Sequence, residues 1–388
     1  MGENAVLSAV AEVLPLLRER AQQVEDDRRL SEETIKDLVE TGVFRLLQPK
    51  RYGGYEADPV IFYSAIRQIA SACGSTGWVA SVIGVHPWQL ALFAASAQDE
   101  VWGPDSNTRM SSSYAPTGKV VPVDGGFQLS GRWSFSSGCD HAEWVLLGGL
   151  VPGEPGQPPD FRTFLVPRSD YAIDDVWDTV GLRGTGSNDI VMAGAFVPVH
   201  RTLRAQDTLR CYGPGQEVNP APLYRLPFGG VFSYSITTPI IGMATGAYQA
   251  HLEHTRRRIR ASYGVKAAED PFGQVRIAEA ASEIDAAWAQ LERHMTEMTR
   301  LVTAGEAIPM PLRLAVRRDQ VRGTGRAIEA VDRLFQAAGG RALRVGTPIQ
   351  RFWRDAHAGR VHAINDPERA LSMYGAGELG LPIYDGMV

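Results

Sequence analysis

Trp144-Val-Leu-Leu147, Phe161-Arg-Thr-Phe-Leu-Val166 and Ile190-Val-Met-Ala-Gly-Ala-Phe-Val197 are short β-prone runs separated by Gly, Pro and Asp, with a breaker-rich loop at 152–160. Runs of this length and punctuation predict a mostly antiparallel sheet across residues 111–225. On both sides of it the apolar period becomes helical. Upstream, Ser31 is a candidate N-cap with Glu32 and Glu33 in the first turn, Ile35, Leu38 and Val39 on one face and Gly42 past the end. A longer apolar segment, 61–93, is interrupted by Gly74, Gly77, Gly84 and Pro87 and carries Ser, Thr, His and Trp, the composition of a segment buried near a site. Downstream of Pro227, residues 240–260, 275–304 and 311–338 are long, Ala-rich and amphipathic. The order predicts an α+β chain in three parts: an N-terminal α-helical domain (1–120), a central β-sheet domain (121–225) and a C-terminal four-helix bundle (226–388).

With 388 residues and 44% apolar content the chain can bury a sizeable core. Its net charge of -5 lacks the basic excess that a phosphate-binding surface requires, so nucleic acid is not an expected partner. No stretch approaches the roughly 20 apolar residues of a membrane span, and the start of the chain lacks a basic-then-apolar secretion pattern. A cytoplasmic protein is expected. Cys73, Cys139 and Cys211 are odd in number and far apart, which fits reduced structural thiols.

Several chemistries lack their parts. Gly181-Leu-Arg-Gly184-Thr-Gly186 has the wrong spacing for a dinucleotide fingerprint and opens no helix, and there is no Walker A sequence. His251 and His254 lie three apart on a helix without a third ligand, which reads as a solvated face; Cys139 and His141 lack a partner set in the same way. No metal site is expected.

What remains is a constellation: Ser111-Ser-Ser-Tyr-Ala115, Gly131-Arg-Trp-Ser-Phe-Ser-Ser-Gly-Cys-Asp-His-Ala-Glu-Trp144 and Val180-Gly-Leu-Arg-Gly-Thr-Gly-Ser-Asn188. Small hydroxyl residues mixed with aromatics and glycines suit a planar heteroaromatic ligand, with rings against its faces and hydroxyls and amides at its polar edge. Turns and core aromatics of a β domain are the plainer reading of any one segment. Together with Leu334-Phe-Gln-Ala-Ala-Gly-Gly340 and Gln350-Arg-Phe-Trp-Arg-Asp355, these stretches resemble the acyl-CoA dehydrogenase superfamily over essentially the whole chain. Cys73-Gly-Ser-Thr-Gly-Trp78, Gly84-Val-His-Pro-Trp88 and Arg354-Asp-Ala-His-Ala-Gly-Arg-Val-His362 resemble its flavin-dependent monooxygenase branch, most strongly the hydroxylases of secosteroid phenols in bacterial steroid degradation.

The residues help choose between dehydrogenation and oxygenation. A dehydrogenase of this superfamily needs a carboxylate base, either in the loop after the last flavin-contacting segment or on the first bundle helix. That loop reads His362-Ala-Ile-Asn-Asp366, and no Asp or Glu occurs between Glu217 and Glu253. Asp366 and Glu368 are the nearest acids and keep the dehydrogenase alternative open. The resemblance otherwise implies the oxygenase component of a two-component system, taking reduced FMN (FAD being the alternative) from a separate NAD(P)H-dependent flavin reductase. Dioxygen would react through a flavin C4a-hydroperoxide, and a phenol would become a catechol; N-hydroxylation is a second activity of the branch. By resemblance His362 serves the hydroperoxide and Ser137 the flavin N5 region, with Trp78, Ser112, Ser113, Tyr114, Phe135, Ser136 and Ala363 around the ring. His362 as a cap of the preceding helix is the structural alternative. His86, an imidazole expected to titrate near working pH, is the candidate phenol base, with a satisfied core histidine as the alternative. Arg258, in the cluster Arg256–Arg260, is matched to the flavin phosphate and Gly340 to a close backbone approach. The resemblance implies a homotetramer whose bundles complete each other's sites.

Overall fold

The computed structural model describes residues 2–154, 156–260, 265–383 and 386–388. Five helices come first: α1 (Glu3–Asp27), α2 (Glu32–Thr41), α3 (Pro59–Ala72), α4 (Gly74–Leu90) and α5 (Ala95–Trp102). The Ser31 hydroxyl accepts from Thr34 N at 3.2 Å and Gly42 closes α2 at φ 82°, so the expected cap and stop are both used. In the apolar segment 61–93, the only break between α3 and α4 falls at Cys73; α4 runs through Gly77, Gly84 and Pro87 and is buried along its whole length. Two of its glycines permit contact. A Cβ on Gly77 would lie 2.3 Å from that of Ala70, and one on Gly84 would lie 2.6 Å from the ring of Phe62.

Strands begin at β1 (Met110–Ser113), ahead of residue 120, followed by β2 (Lys119–Val123), β3 (Gly126–Ser136), β4 (Trp144–Val151), β5 (Asp160–Pro167), β6 (Ala172–Asp174), β7 (Asn188–Pro198) and β8 (Thr202–Arg204). They form two four-stranded sheets, ordered β1-β4-β5-β8 and β2-β3-β7-β6. All pairings in these two sheets are antiparallel except β1 with β4. Alternation along the strands divides the side chains: Val145, Leu147, Phe164 and Val166 meet Leu129, Trp133, Ile190 and Val197 between the sheets, while Leu146 and Leu165 point into the helical core. Trp133 anchors the inter-sheet core, donating to Gly148 O at 2.9 Å and covering Gly118, where a Cβ would lie 1.9 Å from the indole.

After a short helix, α6 (Ala205–Leu209), come α7 (Phe228–Arg257), α8 (Pro271–Thr303), α9 (Met310–Ala338), α10 (Pro348–Arg360) and α11 (Pro367–Glu378). Helix α7 packs against α8, α9 and α10 in the bundle and against α3 and α4 of the amino-terminal part. It begins twelve residues before its amphipathic signal because residues 229–244 are buried on every side, which leaves no polar face to set a period. No described helix is long and apolar enough to cross a membrane.

Candidate functional site

The three hydroxyl-rich segments meet around the end of β3, where Trp78, near the start of α4, reaches one of them. Its indole Nε1 donates to Ser137 Oγ at 3.1 Å, just past β3. Ser137 Oγ shares a 2.7 Å hydrogen bond with Ser187 Oγ, and Ser187 Oγ one of 2.6 Å with Thr185 Oγ1. Thr185 donates to Leu182 O at 2.8 Å, and its own carbonyl accepts from Gly138 N. A buried hydroxyl chain thus joins α4, the end of β3 and the loop before β7. Ser136 Oγ, fully buried, donates to Ser111 Oγ at 3.1 Å, while Ser113 Oγ donates to Ser134 O. Phe135 differs from its neighbours: its ring is 70% exposed, its φ is +69°, and it stands edge-on to Trp177 at 6.1 Å. A bulky residue held in the left-handed region is strained, the kind of cost that persists where the surroundings fix a side chain.

The loop between β6 and β7 is tied down from behind. Leu182, also left-handed at φ +52°, donates its N–H to Asp355 Oδ1 of α10 at 2.6 Å, and its carbonyl accepts from Trp177 Nε1. Arg354 reaches Val180 O at 2.7 Å and Glu25 at 2.5 Å. Burial raises the Asp355 carboxyl to about 6, against the lowering pull of the Leu182 N–H and Arg354. Because the folded carboxyl binds its proton more tightly than the unfolded one, this group's contribution to stability falls as pH rises from about 4 through about 6 and is flat above. Asp355→Asn removes that loss. The stability gap between variant and wild type should move toward the variant by about 3 kcal/mol over this window in urea melts. A gap independent of pH would contradict the raised pKa.

His362 follows α10 and opens the turn Ala363–Asn365. It caps that turn's amino end, Nδ1 accepting from Ile364 N at 3.2 Å, and so does not cap the carboxyl end of α10. Its ring lies 6.0 Å from that of Trp78, and desolvation pushes its pKa down to about 4. Ala363 is exposed beside it. The acids of this loop are engaged elsewhere or face solvent: Asp366 caps α11 through Arg369 N at 3.2 Å, and Glu368 is exposed on its first turn.

His86 lies two turns along α4 from Trp78, roughly 12 Å by helical rise. It is fully buried, Nδ1 is 3.5 Å from Tyr114 Oη, and Nε2 has no hydrogen-bond partner among the described residues. Tyr114 donates to Gln89 Oε1 and stands edge-on to Phe228 and Phe232 at 6.0 and 5.0 Å. Ser112, half a strand back, turns its hydroxyl toward Tyr114. The expectation that His86 titrates near working pH is corrected here, because desolvation with no carboxylate nearby pushes it down to about 3. The imidazole is neutral at pH 7.

Arg258 and Gly340 are not brought to this place within one chain. Arg258 donates to Ala337 O at 2.9 Å and caps α9, roughly 27 Å by helical rise beyond Ile240, the α7 residue that borders Gly359 and Trp78. Gly340 is exposed, with open space among the described residues where a Cβ would stand, and the Arg260 side chain of the same cluster lies outside the described residues. His251, expected on a solvated face, is buried, and His254 hydrogen-bonds Ala338 O at 3.0 Å. Among the described residues no group of His, Cys, Asp and Glu is arranged to hold a metal. Thr185, Ser187, Gln89 and Asp355 were not singled out as site residues, although all but Gln89 lie inside quoted motifs.

Family models for the acyl-CoA dehydrogenase N-terminal and C-terminal domains match residues 5–108 and 234–367. The chain is 59% identical to the flavin-dependent monooxygenase oxygenase subunit HsaA of Rhodococcus jostii (strain RHA1), over 97% of this chain and 98% of that protein. It is 55% identical to HsaA of Mycobacterium tuberculosis (strain H37Rv), over 99% and 98%. The crystal structure of 3-HSA hydroxylase from Rhodococcus sp. RHA1 has the same fold, with a TM-score of 0.96, 58% identity and 99% of each chain covered. The chain therefore belongs to the acyl-CoA dehydrogenase family and, within it, to the oxygenase subunits of flavin-dependent monooxygenases.

Proposed function

We propose that this oxygenase hydroxylates a phenol, a secosteroid phenol foremost, at the carbon beside its hydroxyl, using dioxygen and reduced FMN delivered by a separate NAD(P)H-dependent reductase. The observation that carries the reading is the buried Nε2 of His86, without a partner among the described residues, beside Tyr114, which packs on Phe228 and Phe232, and along α4 from Trp78, which meets Ser137 and His362. The residues fit a flavin. Exposed Phe135 offers an apolar face and the Ser137–Ser187–Thr185 chain offers hydroxyls at an edge. When bound, reduced flavin supplies the two electrons that activate dioxygen; one oxygen atom enters the aromatic C–H bond and the other leaves as water.

The protein's share is orientation and water exclusion. Tyr114 donates to Gln89 and so presents an oxygen lone pair to His86, which places the imidazole proton on Nδ1 and leaves Nε2 as an acceptor. A phenol O–H directed at Nε2 is polarised, and electron density moves onto the ortho carbon. Ser137 and His362 flank the flavin's reactive edge in this reading, and Arg258 and Gly340 serve the phosphate end of a neighbouring subunit in a homotetramer. Exposed apolar residues such as Phe272 and Val345 suit such packing. A cytoplasmic setting agrees with the three free cysteines.

The test supplies chemically reduced FMN or FAD to the protein in air with a secosteroid phenol or a simple phenol and assays catechol. The expected ranking is FMN over FAD and secosteroid over simple phenol. Peroxide without catechol from every combination would overturn the reading.

A further inference from the structure

The turn that carries His362 rests on a buried network of side chains. Asn365 is 1% exposed; its Oδ1 accepts from Gln320 Nε2 at 2.7 Å and Thr324 Oγ1 at 3.3 Å, and its Nδ2 donates to Gly359 O at 2.9 Å. Gln320, equally buried on α9, donates from the same Nε2 to Thr237 Oγ1 of α7 at 2.6 Å and accepts at Oε1 from Arg317 Nη1. Arg317 also donates to Ile364 O at 3.1 Å, and Arg360 to Asn365 O at 3.1 Å.

The direction of every amide follows from the guanidinium. Arg317 can only donate, so Gln320 must turn its oxygen toward Arg317 and its NH2 toward Asn365. Asn365 must then offer Oδ1 to Gln320 and Nδ2 to Gly359 O. Flipping either amide would set two donors against each other at a site with no access to water, so one arrangement survives. This arrangement holds residues 363–365 in the turn whose Ile364 N–H meets His362 Nδ1. An Nδ1 that accepts a backbone hydrogen bond leaves the proton of a neutral imidazole on Nε2.

We propose that Gln320 and Asn365 are positioning residues that fix His362 as its Nε2–H tautomer, making it a hydrogen-bond donor toward the oxygen atom it faces. The functional half of this statement rests on the proposed placement of His362 beside the flavin's reactive edge; the tautomer itself does not. His362 thus donates by virtue of its tautomer and keeps one proton on the ring throughout. His86, held by Tyr114, takes the opposite tautomer, so the two histidines of the site have complementary roles, one donor and one acceptor.

The test is nitrogen NMR of the flavin-free protein with ¹⁵N-labelled histidine, the His362 signals being identified by their loss in His362→Ala. Wild type should show an unprotonated Nδ1 and a protonated Nε2. Gln320→Glu, which keeps the Arg317 contact but replaces the donor to Asn365 with an acceptor, should mix the two tautomers and lower the fraction of dioxygen that ends in catechol severalfold. If that variant does not fold, Asn365→Ala serves in its place. A wild-type His362 protonated at Nδ1, or unchanged signals in both variants, would overturn the proposal. Mixed tautomers with unchanged catechol yield would leave the clamp standing and remove the placement of His362 at the reactive edge.

Discussion

Replacing His362 with alanine is expected to divert most of the dioxygen consumed from catechol to hydrogen peroxide while leaving the fold intact. The side chain is half-buried, and among the described residues it hydrogen-bonds the turn it caps, at 3.2 Å, so alanine removes a local cap worth about 1 kcal/mol. Under the proposed placement at the reactive edge, what it removes is larger. A preorganised donor in a water-poor site, aimed at an oxygen that gains charge as the O–O bond breaks, is typically worth about a hundredfold in rate. Productive transfer slows by that factor while elimination of peroxide does not, and the yield falls accordingly. Because burial pushes the imidazole down to about 4, the wild-type yield should be flat between pH 6 and 8. Parallel assays of oxygen uptake, catechol and peroxide check both statements, and a yield that survives His362→Ala would remove this residue from the chemistry.

The second large effect is expected at His86. On the proposed reading, His86→Ala takes away the acceptor for the phenol hydroxyl and leaves Tyr114 its hydrogen bond to Gln89. A buried polar group of the substrate left without its partner costs about 1–3 kcal/mol, so kcat/KM for the phenol should fall roughly tenfold to a hundredfold, with binding of reduced flavin unchanged. The sign of the pH effect distinguishes the acceptor from a titrating base. An imidazole held at about 3 stays neutral across the assay range, so wild-type kcat/KM should show no inflection near 6.5. An inflection there that disappears in the variant would mean that His86 carries a proton during turnover.

Much of this site was legible because its parts lie in motifs. Trp78, Ser137 and His362 come from three separated segments, and the fold unites them through one indole. The order of helices, strands and helices was legible from periodicity, as were the break between β4 and β5 and the cap at Ser31. The start of α7 was not, because a helix buried on all sides has no amphipathic period, nor was the continuity of α4, whose glycines and proline resemble breakers although Gly77 and Gly84 serve close contact with Ala70 and Phe62. The hydroxyls of Ser113 and Ser136 also bond within the protein, to Ser134 O and Ser111 Oγ, partners that the motifs alone do not reveal. The titration of His86 depends on burial, which one residue in an apolar run does not reveal. Least legible was the Gln320–Asn365 pair, 45 residues apart and without a motif of its own, since only the packing of α9 against the turn brings the two amides together.

The most direct test of the central claim is a single turnover under ¹⁸O₂: protein mixed anaerobically with chemically reduced FMN and a secosteroid phenol, then exposed to labelled dioxygen, with the product analysed by mass spectrometry. The account requires a catechol carrying one ¹⁸O atom, in near-stoichiometric yield with the reduced flavin. Unlabelled catechol, or labelled peroxide with the phenol recovered intact, would contradict it.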